Sequence, residues 1–141
     1  MKSYTDLEQS KKLAEILPIE SADMVLPFRH PKNDEYIPGY VVSRNYVEVY
    51  NEMIKLPAME KEDVCKLIQP AWSLAALLDI LHSKAKDIPS LSGGGYKDGE
   101  YISDWCLDYE FEDGDYKKTF AENPIDACYE MIIKLSELKM L

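Results

Sequence analysis

From residue 101 the chain reads Tyr101-Ile102-Ser103-Asp104-Trp105-Cys106-Leu107-Asp108-Tyr109-Glu110-Phe111. Tyr101, Trp105, Leu107, Tyr109 and Phe111 fall on odd positions, and Asp104, Asp108 and Glu110 on even ones. Successive side chains of a strand point to opposite faces, so this spacing specifies a strand with one apolar and one wetted face. Strands of that kind belong to antiparallel sheets, because parallel sheets are covered on both sides. Asp113-Gly114 is a turn signal, and Tyr116, Lys118 and Phe120 alternate after it, which predicts a hairpin. The apolar face then needs a cover, and the rest of the chain must supply it.

Helices are legible on both sides of the hairpin. Asn123-Pro124 joins an N-cap residue to the residue best suited to the first helical position, and Cys128, Met131, Ile132, Leu135 and Leu138 form the buried stripe behind them. Pro70 to Leu81 is the most apolar stretch of the chain, with Ser73 placed to cap a helix expected to be the most buried element. Thr5-Asp6-Leu7-Glu8 reads as a capping box that opens a helix over residues 6 to 17, ended by Pro18. Met24-Val25-Leu26, Tyr40-Val41-Val42 and Tyr46-Val47-Glu48-Val49-Tyr50 read as short strands, which Pro27, Pro31 and Pro38 confine to edges or interruptions. Glu60 to Ile68 reads as a short helix, and Ser90 to Gly99, with Gly93-Gly94-Gly95 in it, as a flexible loop. The order predicts an α+β fold: a single globular domain over residues 1–141, with helices packed on one face of a small antiparallel sheet.

Trp72-Ser73-Leu74-Ala75-Ala76-Leu77-Leu78-Asp79-Ile80-Leu81 and Asn123-Pro124-Ile125-Asp126-Ala127-Cys128 are separated by the acidic aromatic hairpin and preceded by Tyr4-Thr5-Asp6-Leu7-Glu8-Gln9-Ser10-Lys11-Lys12-Leu13. In this the chain resembles a group of short acidic proteins from Bacteroidales genomes, found in prophage or conjugative-element settings. The resemblance covers most of the chain, yet its motifs are helix starts and core faces. It implies a lineage and transfers no activity.

Charge is the most informative functional feature. The net charge is −10, and residues 98–115 hold eight carboxylates and no Lys or Arg. Such a balance repels phosphate backbones and anionic lipids, so the reading excludes direct nucleic-acid and membrane partners and favours a basic protein surface. Candidate binding residues are Asp104, Asp108, Glu110, Glu112, Asp113 and Asp115. On a strand, Asp108, Glu110 and Glu112 project from one face about 7 Å apart, a row suited to a basic partner or to imitation of a phosphate backbone. The same row also serves simply as a charged sheet edge that prevents aggregation. Tyrosine is the second oddity, ten against three Phe, and Tyr36, Tyr40, Tyr46, Tyr50, Tyr96, Tyr101, Tyr109 and Tyr116 fall where half-exposed sheet surfaces or an interface would use them.

Catalytic patterns fail one after another. Gly94 and Gly99 have the gap of a phosphate loop, but Glu100 and Tyr101 stand where Lys and Ser/Thr are required. A calcium loop counted from Asp108 meets its glycine one residue late and Thr119 at the twelfth position. Cys65, Cys106 and Cys128 make no CxxC pair, and with His30 and His82 they match no zinc spacing. No catalytic residue, no metal and no cofactor is therefore expected. The N-terminus lacks the apolar core of a signal peptide and no window approaches 18 apolar residues, so a cytoplasmic protein is expected. The function that fits is a non-enzymatic interaction module, with an acidic decoy of a DNA-binding protein, or an enzyme with an unrecognised site, as the alternatives.

Overall fold

Met24–His30 forms β1, and its two halves serve different neighbours: Met24 to Pro27 pair with β3 (Ile68–Ala71), while Phe28 and His30 pair with β2 (Asn33–Tyr36). Pro27 sits at the handover, which is how a residue without an N–H fits a strand flanked on both sides. The computed structural model describes residues 2–30, 33–36, 41–56, 64, 67–111 and 113–141. Among the described residues it is α+β with two antiparallel sheets of three strands, ordered β2-β1-β3 and β4 (Ser90–Lys97), β5 (Glu100–Glu110), β6 (Tyr116–Ala121). The chain divides into two compact units, Tyr4–Ser73 and Met1–Ser3 with Leu74–Leu141.

In the first unit, α1 (Leu7–Ile16) begins one residue later than the capping box predicts. Asp6 is the N-cap: its carboxylate accepts from the Gln9 N–H, and the Gln9 side chain accepts from the Asp6 N–H. Thr5 is fully buried instead, its hydroxyl 2.7 Å from the Ser10 hydroxyl and accepting the Trp72 N–H at 3.1 Å. A hydroxyl with two interior partners is worth more there than at a cap that Asp6 fills equally well. Leu13 and Leu17 bury with Val25, Leu26, Ala71 and Trp72, the largest fully buried side chain, whose indole N–H donates to Ser21 Oγ at 2.9 Å. Asp23 ties down the chain after β3 by accepting from both the N–H and the hydroxyl of Ser73.

Tyr46 to Tyr50, expected as a strand, lies in helix α2 (Tyr46–Met53). The Asn45 side chain accepts from the Val47 and Glu48 N–H groups, and Tyr46 stacks on Tyr50 one turn later with ring centroids 6.3 Å apart. A five-residue run of Tyr and Val around Glu48 fits either period, and the cap in front of it decides. Ile68, expected at a helix end, opens β3, whose Pro70 is tolerated because β3 is an outer strand. Residues 60–63 and 65–66 of that expected helix, with Tyr40, Pro31 and Pro38, lie outside the described residues.

In the second unit, α3 (Leu74–Lys84) and α4 (Pro124–Glu137) pack together, and α4 covers β5 (Glu100–Glu110) and β6 (Tyr116–Ala121). Asn123 caps α4 through the Asp126 N–H with Pro124 behind it, as the dipeptide predicts. Ile125, Cys128, Met131, Ile132 and Leu135 are buried against Leu107, Tyr109 and Phe111, but Leu138 lies past the helix end and is exposed. Thr119, opposite Leu107 in the sheet, donates from its hydroxyl to the Ala127 carbonyl at 2.7 Å and fixes β6 to α4.

Candidate functional site

The segment expected as a glycine loop is a strand, β4 (Ser90–Lys97), paired along its length with β5. Two sequence features make this possible. Asp98 and Gly99 both take positive φ, 52° and 82°, between the paired Lys97 and Glu100, a two-residue turn matched to the twist of the hairpin. Rings replace the missing glycine side chains: a Cβ on Gly93 would lie 4.0 Å from Trp105, and one on Gly94 would lie 2.3 Å from the Tyr101 hydroxyl. The Asp98-Gly99 dipeptide was the available signal, and it is a stronger hairpin mark than the glycine run is a loop mark.

A bulge lies beside these glycines. Gly93 pairs with Trp105 and Gly95 with Ile102, so Gly94 faces two residues of β5, Ser103 and Asp104. An extra residue shifts the alternation by one. Leu107, Tyr109 and Phe111 hold the predicted inward face, whereas Trp105 is half-buried and Tyr101 turns out to 63% exposure. The even series is not uniformly wet either, since Cys106 is buried. Burial pushes the Cys106 thiol upward, with Asp108 adding to it, and burial alone pushes the Cys128 thiol to about 12, so both stay protonated at neutral pH.

β6 ends at Ala121, opposite Trp105, so residues 95–102 form a two-stranded arm beyond the three-stranded part of the sheet. Tyr96 and Tyr101 lie opposite each other on this arm in an edge-to-face pair, centroids 5.7 Å apart, and both are exposed. Of the other tyrosines, Tyr116 is exposed, but Tyr46 and Tyr109 are core residues, Tyr109 edge-on to Phe111. Their hydrophobic rings fill the interior while sequence alone shows only strand-like spacing.

The acidic candidates are spread along the same strand. Asp108 stands across from Lys118, 3.4 Å between charges, and Glu110 is 3.6 Å from Lys86, so lysines flank the middle of the row. Asp104 is exposed at the bulge. Asp113 and Asp115 occupy the second turn, where the Asp113 carboxylate accepts the Asp115 N–H at 2.9 Å. Glu112 lies outside the described residues. At the first turn, too, a lysine is opposite a carboxylate, Lys97 across from Glu100. Among the described residues, every buried side-chain N or O atom has a hydrogen-bond partner, and no group of three His, Cys, Asp or Glu is placed to hold a metal ion. No helix among them is long and apolar enough to cross a membrane. In comparisons with protein-family models, curated proteins and solved structures, nothing matches the chain.

Proposed function

We propose that this chain is a protein-interaction module whose contact element is the β4–β5 arm, and that its partner presents a basic surface. The observation that carries the reading is the Tyr96–Tyr101 pair, 65% and 63% exposed at the end of a two-stranded arm. Tyrosine offers a large, stiff, amphipathic contact at low entropic cost, which is why it is enriched at interfaces. Residues 95–104 carry Asp98, Glu100 and Asp104 against Lys97 alone, so a partner rich in Lys and Arg is drawn in by charge and held by the rings. The lysines beside Asp108 and Glu110 favour this reading over a phosphate-backbone mimic, which needs an unbroken anionic row. Service to a mobile element, which the resemblance above implies, belongs to the same proposal.

The test is affinity capture with three baits: wild type, Tyr96→Ala/Tyr101→Ala, and Asp98→Ser/Glu100→Ser/Asp104→Ser. The expected partner is basic, is lost from both variants, and binds less well as salt shortens the screening length from about 10 Å at 0.1 M to about 3 Å at 1 M. Identical partners on all three baits exclude the arm as the contact. A captured DNA-binding protein that duplex DNA displaces from this chain supports the decoy instead.

A further inference from the structure

A cleft of about 340 Å³ opens beside the arm, and its walls come from three elements distant in sequence: the β4–β5 turn, β6 and α4. Lys97, Lys118 and Lys134 line it, a local gathering of cations in a chain of net charge −10. All three side chains are exposed; Lys118 is 3.4 Å from Asp108 and Lys97 stands across from Glu100, so an anionic ligand competes with those two carboxylates for them. Phe120, half-buried, and Tyr96 contribute ring surface, and the Lys97 ammonium already stands 5.9 Å from the Phe120 ring centre. Asp98 and Glu130 complete the lining with acceptors.

We propose that this cleft binds a small aromatic oxyanion, a flat ring carrying a phosphate or carboxylate group. The volume lies at the small end of the range for ligand sites. Rings at the wall take the flat part of such a ligand, and lysines from three elements take its charge as point cations, which suits an oxyanion of either kind. The carboxylates of Asp98 and Glu130 accept from N–H or O–H donors on the ring. A bare inorganic anion is poorly served here, because those two carboxylates repel it and it leaves the rings uncovered. This inference goes beyond the interaction reading, since Lys118, Glu130 and Lys134 are not part of the arm.

The experiment is a titration of the ¹⁵N-labelled full chain, followed by amide shifts, with four probes: AMP, 4-hydroxybenzoate, adenosine and inorganic phosphate. AMP or 4-hydroxybenzoate is expected to shift the amides of Lys97, Asp98, Lys118 and Phe120 with a dissociation constant of about 1 mM or tighter, the first pointing to phosphate esters and the second to carboxylates. Adenosine and phosphate should each bind at least about tenfold more weakly. Lys134→Ala, on the exposed side of α4, should weaken binding about three- to tenfold with the spectrum otherwise unchanged, while Tyr101→Ala, which removes the arm's other ring and lies outside the cleft lining, binds as wild type. The proposal is overturned if neither charged aromatic probe moves these amides, if adenosine or phosphate binds as well as the whole probe, or if Lys134→Ala binds as wild type.

Discussion

The Tyr101 ring lies across Gly94: a Cβ on Gly94 would stand 2.3 Å from the tyrosine hydroxyl and 3.0 Å from the ring carbon that bears it. Gly94 also has φ +116°, where a side chain is strained whatever the space. The close approach and the backbone angle together explain a glycine run inside a strand. They also link Tyr101's outward position to the bulge that puts it there.

Gly93 and Gly94 should therefore respond differently to alanine. Gly94→Ala is expected to cost about 1–2 kcal/mol, chiefly from φ, because the exposed Tyr101 side chain can swing aside. Gly93→Ala places its Cβ in ordinary contact with Trp105 and should stay within about 0.5 kcal/mol. Urea unfolding of the two variants checks this, and equal losses would refute the conformational account of Gly94.

Tyr101 and Tyr109 share a strand, a residue type and a parity, yet one is 63% and the other 1% exposed. Tyr109→Ala should cost about 3–5 kcal/mol and Tyr101→Ala under about 1. If thermal denaturation finds the two losses alike, the bulge between Gly93 and Gly95 does not divide the strand as described.

Thr5 and Asp6 test where α1 begins. Thr5→Val keeps the shape but strands the Trp72 N–H in the interior and leaves the Ser10 hydroxyl only its longer bond to the Thr5 carbonyl, an expected loss of about 1–3 kcal/mol. Asp6→Ala removes the cap and should cost about 1 kcal/mol. Glu8→Ala should be near neutral; a loss equal to that of Asp6→Ala would restore the capping box at Thr5.

Cys128 predicts a pH dependence. Its thiol sits near 12 in the folded chain against an ordinary value of 9.0, so above about pH 9 the unfolded chain releases a proton that the folded chain keeps. Unfolding is favoured as pH rises, by up to about 1.4 kcal/mol per pH unit between the two values, and the contribution is flat below them. Subtracting the stability profile of Cys128→Ala from that of wild type isolates this slope from the tyrosines and lysines that titrate nearby. Site-resolved alkylation should find Cys106 and Cys128 protected until the chain unfolds, and rapid native labelling of Cys128 would contradict its burial.

Much of the fold is legible because it rests on local chemistry. The inward series Leu107, Tyr109 and Phe111, the Asn123-Pro124 helix start and the helix after Ser73 each follow from a few neighbouring residues, but that last helix is not the most buried element expected: only Leu77 and Leu81 of it are buried, and α4 buries more. The misread segments had two local solutions of similar merit: Tyr46 to Tyr50 fits a strand or a helix until Asn45 caps it, and the glycines fit a loop until Trp105 and Tyr101 cover them.

By itself the sequence determined the α+β class, the strand 101–111 and the concentration of negative charge in residues 98–115, because period, capping and composition are properties of consecutive residues. Only tertiary structure decided which carboxylates meet lysines, which tyrosines face outward, and that Lys97, Lys118 and Lys134 border one cleft. Those relations join residues far apart along the chain, and a single-residue bulge is enough to reverse them; no local pattern carries that information.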